Sequence, residues 1–109
     1  MAYSEELAER IRAHLEGNPK IDEKKMFGGL AFLLSGNMSV GIIGDELMVR
    51  VGKDAHDEMV ALPGARIMDF TGQEMKGWLV VGTPGIKKEE ALGEWVERGV
   101  TFASSLPAK

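Results

Sequence analysis

The chain contains no cysteine, which excludes a disulfide framework, a thiolate metal site and a cysteine nucleophile together, and fits a reducing compartment. Long apolar runs are missing as well. No stretch approaches the ~20 residues that cross a bilayer, and the start, Met1-Ala2-Tyr3-Ser4-Glu5-Glu6, lacks the basic and then apolar pattern of a secretory signal. A cytoplasmic protein without a membrane segment is expected. Positive charge is in deficit: 13 Lys and Arg stand against 17 Asp and Glu, a formal net charge of -4. That balance argues against an overall electrostatic drive toward phosphate backbones, which needs clustered Lys and Arg.

What remains suits one small folded unit. The 109 residues are 44% hydrophobic and 28% charged, which is ordinary globular usage and far from the signature of disorder. A chain of this size can bury one core without covalent or metal staples. No internal repeat, linker or low-complexity segment appears, so residues 1–109 are read as a single domain.

Residues 4–16 place Leu7, Ile11 and Leu15 on one side of a helix, with Ser4 as its cap and Glu5 and Glu6 in its first turn. Gly17-Asn18-Pro19 ends it. From Lys24 to Val51 the pattern changes to short β runs at 30–34, 40–43 and 47–51, separated by Ser35-Gly36-Asn37 and Gly44-Asp45 turns. A second helix is predicted over 53–62, with Ala55, Met59 and Leu62 on one face. Two strands follow over 66–70 and 78–81, and then a helix over 88–105 carrying Leu92, Trp95, Val96, Gly99, Val100 and Ala103 at helical spacing. The implied fold class is α+β: a two-layer sandwich of order α-β(3-4)-α-β(2)-α, with an antiparallel sheet of about five or six strands and the helices on one face.

The chemistry-bearing residues do not converge in sequence. Gly28-Gly29 precedes a strand, not the helix N-terminus that a phosphate-cradling loop needs, and Gly82-Thr83-Pro84-Gly85 reads as a turn. His14 reads as a helix-surface or core-edge residue. His56 has Met59 and Val60 where a second ligand would stand, so it reads as an exposed helix residue. For a nucleophile the candidates are Ser35, Ser39, Ser104 and Ser105, none in a nucleophile-elbow setting and Ser39 equally readable as a solvent-facing strand residue, and the adjacent acid pairs point different ways and make poor acid–base dyads. Asp69 lies in an apolar strand where Arg50 or Lys76 could face it, either as an ion pair or as the floor of a cleft. The seven methionines read first as core filler and second as an adaptable partner surface. Lys20, Lys24 and Lys25 form the richest basic run, flanked by Asp22 and Glu23 as on an ordinary solvated face. No catalytic, metal or cofactor site is assigned, and no enzymatic activity is expected.

The run Lys25-Met26-Phe27-Gly28-Gly29-Leu30-Ala31-Phe32, then Gly36-Asn37-Met38, Leu47-Met48-Val49-Arg50-Val51, Met68-Asp69-Phe70 and Met75-Lys76-Gly77-Trp78, resembles the N-terminal domain of the TfoX/Sxy competence-regulator family. The resemblance extends over nearly the whole chain. It implies a two-layer fold of the same element order, related in architecture to secretion chaperones. It also implies a stand-alone member, since the family's regulators carry a second, C-terminal domain and this sequence ends at Lys109. Those regulators promote expression of DNA-uptake genes as co-activators beside a cyclic-AMP receptor-type transcription factor. The leading expectation is thus a non-enzymatic protein-interaction module, an accessory factor in transcription or competence regulation, with a sheet face or edge strand as its contact surface and Lys25, Arg50 and Lys76 contributing. The alternatives are direct nucleic-acid binding through the Lys20, Lys24 and Lys25 run, and a small-molecule or enzymatic cleft near Asp69, Arg50 and Lys76. A homodimer formed through an edge strand is a further expectation.

Overall fold

Helix α1 forms where its cap and its stripe coincide. The Ser4 hydroxyl accepts the Leu7 N–H at 3.2 Å, Glu5 and Glu6 sit at the positive end of the dipole, and Leu7, Ala8, Ile11 and Leu15 are buried. The computed structural model describes residues 3–26, 29–67 and 77–107. After α1 (Glu5–Leu15) come β1 (Ile21–Met26), β2 (Gly29–Leu34), β3 (Asn37–Ile43), β4 (Glu46–Arg50) and α2 (Lys53–Met59). β5 (Ala65–Ile67), β6 (Trp78–Val81), a single helical turn α3 (Thr83–Ile86) and α4 (Glu89–Ser104) follow. The strands make one six-stranded antiparallel sheet in the order β1-β2-β3-β4-β6-β5. β1 to β4 are successive hairpins, and β6 enters between β4 and β5.

Pleating divides the sheet into two faces, because directly paired residues share a side. Leu30, Ile42, Leu47 and Val81 run across the strands in register and join Ile11, Ile86, Leu92, Trp95 and Val96 in the main core. The opposite parity carries a smaller cluster: Met48 and Val80 are buried, with Met38, Ile43 and Trp78 packed on them half-exposed. The helices therefore cover one face, and the expected two-layer α+β sandwich is the fold. Among the described residues no helix is long and apolar enough to cross a membrane.

Helix α4 approaches the sheet most closely at Gly99, where an added Cβ would stand 2.4 Å from the Ser39 carbonyl oxygen. Only glycine permits that approach. Ser39 is the extra residue of a bulge, since Phe32 pairs with Val40 while Leu33 pairs with Met38. Its side chain does not face solvent as the sequence indicated. It is fully buried, and its hydroxyl donates to the Phe32 carbonyl at 2.9 Å, so the bulge satisfies its own polar atom.

Three further differences stand out, and the first two have physical causes. β1 is a strand despite its charge, because an edge strand draws its ladder from β2 and needs no buried alternation. Residues 83–86 form a helical turn that begins at Thr83 and holds Pro84 in its first turn, where the fixed φ of proline suits a helix. α2 ends at Met59 instead of continuing to residue 62, although Ala55, Met59 and Leu62 do pack against the core together. Of the strand read over 66–70, residues 68–70 lie outside the described residues.

Candidate functional site

Arg50 ends β4 directly opposite Trp78 of β6, on the face that the helices leave uncovered. Beyond it the chain must turn sharply into α2, and Gly52 supplies the turn with φ 86°. The same glycine leaves room for an aromatic ring: a Cβ there would lie 2.5 Å from Phe102 Cε1 of α4. Phe102 thus reaches the end of the sheet. The Arg50 guanidinium carbon consequently lies over two rings at once, 5.5 Å from the Trp78 centroid and 5.3 Å from that of Phe102, within cation–π range.

The wall beside this cation is held by His56. The Gly77 carbonyl accepts the Val51 and Gly52 N–H groups at 2.9 and 3.1 Å, and the Gly77 N–H donates to His56 Nδ1 at 2.9 Å. His56 is not the exposed helix residue expected from sequence. It is 4% exposed, and its acceptor nitrogen fixes the tautomer with the proton on Nε2. Neither the burial nor the partner is encoded locally, because the N–H that needs it belongs to Gly77, 21 residues on and just before β6.

A cavity of about 600 Å³ opens beside the guanidinium, lined among others by Arg50, Lys53, Asp54, Trp78, Phe102 and Ser105. It runs into an apolar groove of about 520 Å³ between α2 and α4, floored by Val51, Ala55, Met59 and Phe102. Glu94, Glu97 and Arg98 stand on the groove's far rim, where Arg98 stacks on Trp95 at 4.6 Å and reaches Glu94 at 3.6 Å. Among the described residues no carboxylate lies within ion-pair distance of Arg50. Its N–H edge is left to whatever enters the cavity.

Other cations are spent on structure. Arg12 of α1 grips Glu23 of β1 through two hydrogen bonds of 2.8 and 2.7 Å and also reaches Glu9 at 2.6 Å. Arg66 holds Glu46 in the same forked manner at 2.6 Å twice. Arg10 donates to Glu89 and to the Ile86 carbonyl, and His14 meets the other Glu89 oxygen at 3.1 Å while its ring packs on Gly93. Hydrogen bonding to Arg12, Arg66 and Arg10 respectively holds the Glu23, Glu46 and Glu89 carboxyls below their ordinary value, and the Glu23 bond pushes Arg12 upward.

Of the three residues expected to contribute to one contact surface, the described ones, Lys25 and Arg50, stand on opposite faces of the sheet. Lys25 pairs with Leu30, so it points to the helix-bearing side at the β1 edge, whereas Arg50 pairs with Trp78 on the other. Lys76 and Asp69 lie outside the described residues. Lys24 and Lys25 are both exposed but alternate across the pleat, so the basic run is divided between two faces. Gly29 opens a strand, which leaves no helix end for a phosphate. Sequence reasoning named Arg50 but missed Phe102, Ala55 and Ser105 as its neighbours. Gly52 in front of a helix was the available signal for a close aromatic approach.

No curated protein and no solved structure matches the chain. A family model does match, that of the TfoX N-terminal domain, over residues 13–103, which takes in every element described above from the end of α1 to nearly the end of α4.

Proposed function

Because the chain belongs to the TfoX N-terminal domain family, we propose that it acts as a non-enzymatic protein-interaction module, an accessory factor to a transcription factor in competence-type regulation. In this reading the module works in the cytoplasm, and its contact site is the Arg50 cleft with the adjoining groove. The observation that carries the reading is a half-buried guanidinium, oriented by two rings and free of any protein carboxylate among the described residues, at the mouth of an apolar groove. Arginine and aromatic side chains beside an apolar depression are the residue types that dominate binding energy at protein interfaces. Homodimerisation through the β1 edge is a separate proposal, read by the mass of the free protein in solution.

The test is affinity capture of the tagged protein from its native lysate at moderate salt, with and without nuclease. A nuclease-resistant transcription factor among the captured proteins is the expected result. Capture that disappears with nuclease replaces this reading with nucleic-acid association, for which a steep loss of affinity with salt is the second mark.

A further inference from the structure

The Arg50 cleft and the α2–α4 groove share Val51, Ala55, Phe102 and Ser105 in their walls, so they form one continuous depression with two chemically different ends. We propose that this depression binds a linear peptide segment of a partner protein in which an acidic residue stands beside large apolar ones. The inference deepens the interaction-module reading and rests on it.

The charges fix the orientation of the occupant. At the cleft end Arg50 and Lys53 outnumber Asp54, a local positive excess on a chain whose net charge is -4. A carboxylate entering there meets the fork of a guanidinium whose rotamers are already restricted by Trp78 and Phe102, so little side-chain entropy remains to be lost on binding. Partial withdrawal from water strengthens such a charge-assisted pair relative to a fully solvated one. Further along, Ala55 and Met59 are half-buried and present apolar surface next to the buried Val51, which accepts a Leu, Phe or Trp side chain but not a second charge. Beyond that, the rim carries Glu94, Glu97 and Arg98, with Arg98 engaged by Glu94, so the remaining acidic excess at Glu97 favours a basic or neutral residue over another acid. The motif is therefore acidic at one end, apolar in the middle and not acidic at the other. A phosphate backbone fits poorly, because its regularly spaced anions would have to pass Glu94 and Glu97.

The experiment is selection of a phage-displayed library of random linear peptides on the immobilised full chain, followed by anisotropy titration of the enriched peptides carrying fluorescein. The expected consensus has Asp or Glu close to Leu, Phe or Trp. Arg50→Gln should weaken binding roughly tenfold or more, the usual consequence of losing charge-assisted hydrogen bonds. Ala55→Glu, which sets a charge in the apolar groove, should weaken it comparably, and Arg12→Gln, at a residue that lines neither the cleft nor the groove, should leave it unchanged. Circular dichroism and thermal melting establish that each variant is folded, and Arg50→Lys, which keeps the charge without the fork, should bind between wild type and Arg50→Gln. A consensus lacking an acid, or binding indifferent to both Arg50→Gln and Ala55→Glu, overturns the proposal, as does a single-stranded oligonucleotide that displaces the peptide in an Arg50-dependent way. Repeating the lysate capture with Arg50→Gln separates the two levels. Retention of the native partner sinks this site and spares the interaction module, whereas peptide recognition of the expected kind with no native partner keeps the site and sinks the accessory role.

Discussion

The α1 shoulder and the Arg50 cleft use the same residue type in opposite ways. On the shoulder, Arg10, Arg12 and His14 each meet a carboxylate, and the pairs tie α1 to β1 and to the start of α4. In the cleft, Arg50 meets rings and no acid among the described residues. A paired arginine restrains neighbouring elements and offers little to a ligand. An arginine oriented by aromatic faces is held in place while its donors stay available, and it marks the region where recognition is to be sought.

The sharpest way to break this contrast is to remove the turn that builds the cleft. Gly52→Ala forces a Cβ into the Phe102 ring at a backbone angle that L-residues rarely adopt, and is expected to cost about 1–3 kcal/mol in urea unfolding. His56→Ala should fall in a similar range, about 1–3 kcal/mol, by leaving the buried Gly77 N–H without its acceptor. Both variants damage stability and the cleft together. If His56→Ala were as stable as wild type, the wall would not depend on that bond.

Acid separates the two regions next. Glu23, Glu46 and Glu89 have folded-state values held below the ordinary 4.5 by their partners, so their contribution is complete above the unfolded value and is lost as pH falls through the lower folded one. Stability should therefore drop on acidification below about pH 5, the window in which such carboxylates take up protons. Arg12→Gln should make that drop shallower, at an expense near neutral pH of about 0.2–1 kcal/mol for an exposed pair. Arg50→Gln should leave the shape of the acid curve unchanged and lower the unfolding free energy only by the loss of ring contacts, about 0.5–1 kcal/mol. A changed acid slope in Arg50→Gln would show that an acid does face this arginine.

Much of the fold was legible because its signals are local. The bounds of β6 agree with the strand read over 78–81, and those of α1 and α4 differ by a single residue at each end, since capping, turn glycines and apolar period all agree there. β1 was missed because nothing in Asp22-Glu23-Lys24-Lys25 speaks for a strand until β2 is beside it. The burial of His56 and of Ser39 escaped for a related reason: each satisfies a hydrogen-bonding demand set elsewhere, by Gly77 and by the Phe32 carbonyl. The site was legible only in its arginine. Grouping Lys25 with Arg50 by charge ignored the pleat, which separates them, and the ring of Phe102 comes from a helix at the other end of the chain.

The entry of β6 between β4 and β5 has a consequence in time. The hairpins from β1 to β4 close over short loops, whereas β4 meets β6 only after the chain has passed through α2 and β5. Contacts that close longer loops carry the greater entropic burden and form later. Arg50 and Trp78 face each other across that seam, so this wall of the cleft is expected to close after the hairpins. Amide hydrogen exchange in the native protein should accordingly find the β6 protons less protected than those of β2 and β3, and equal protection would show the sheet to open as one unit.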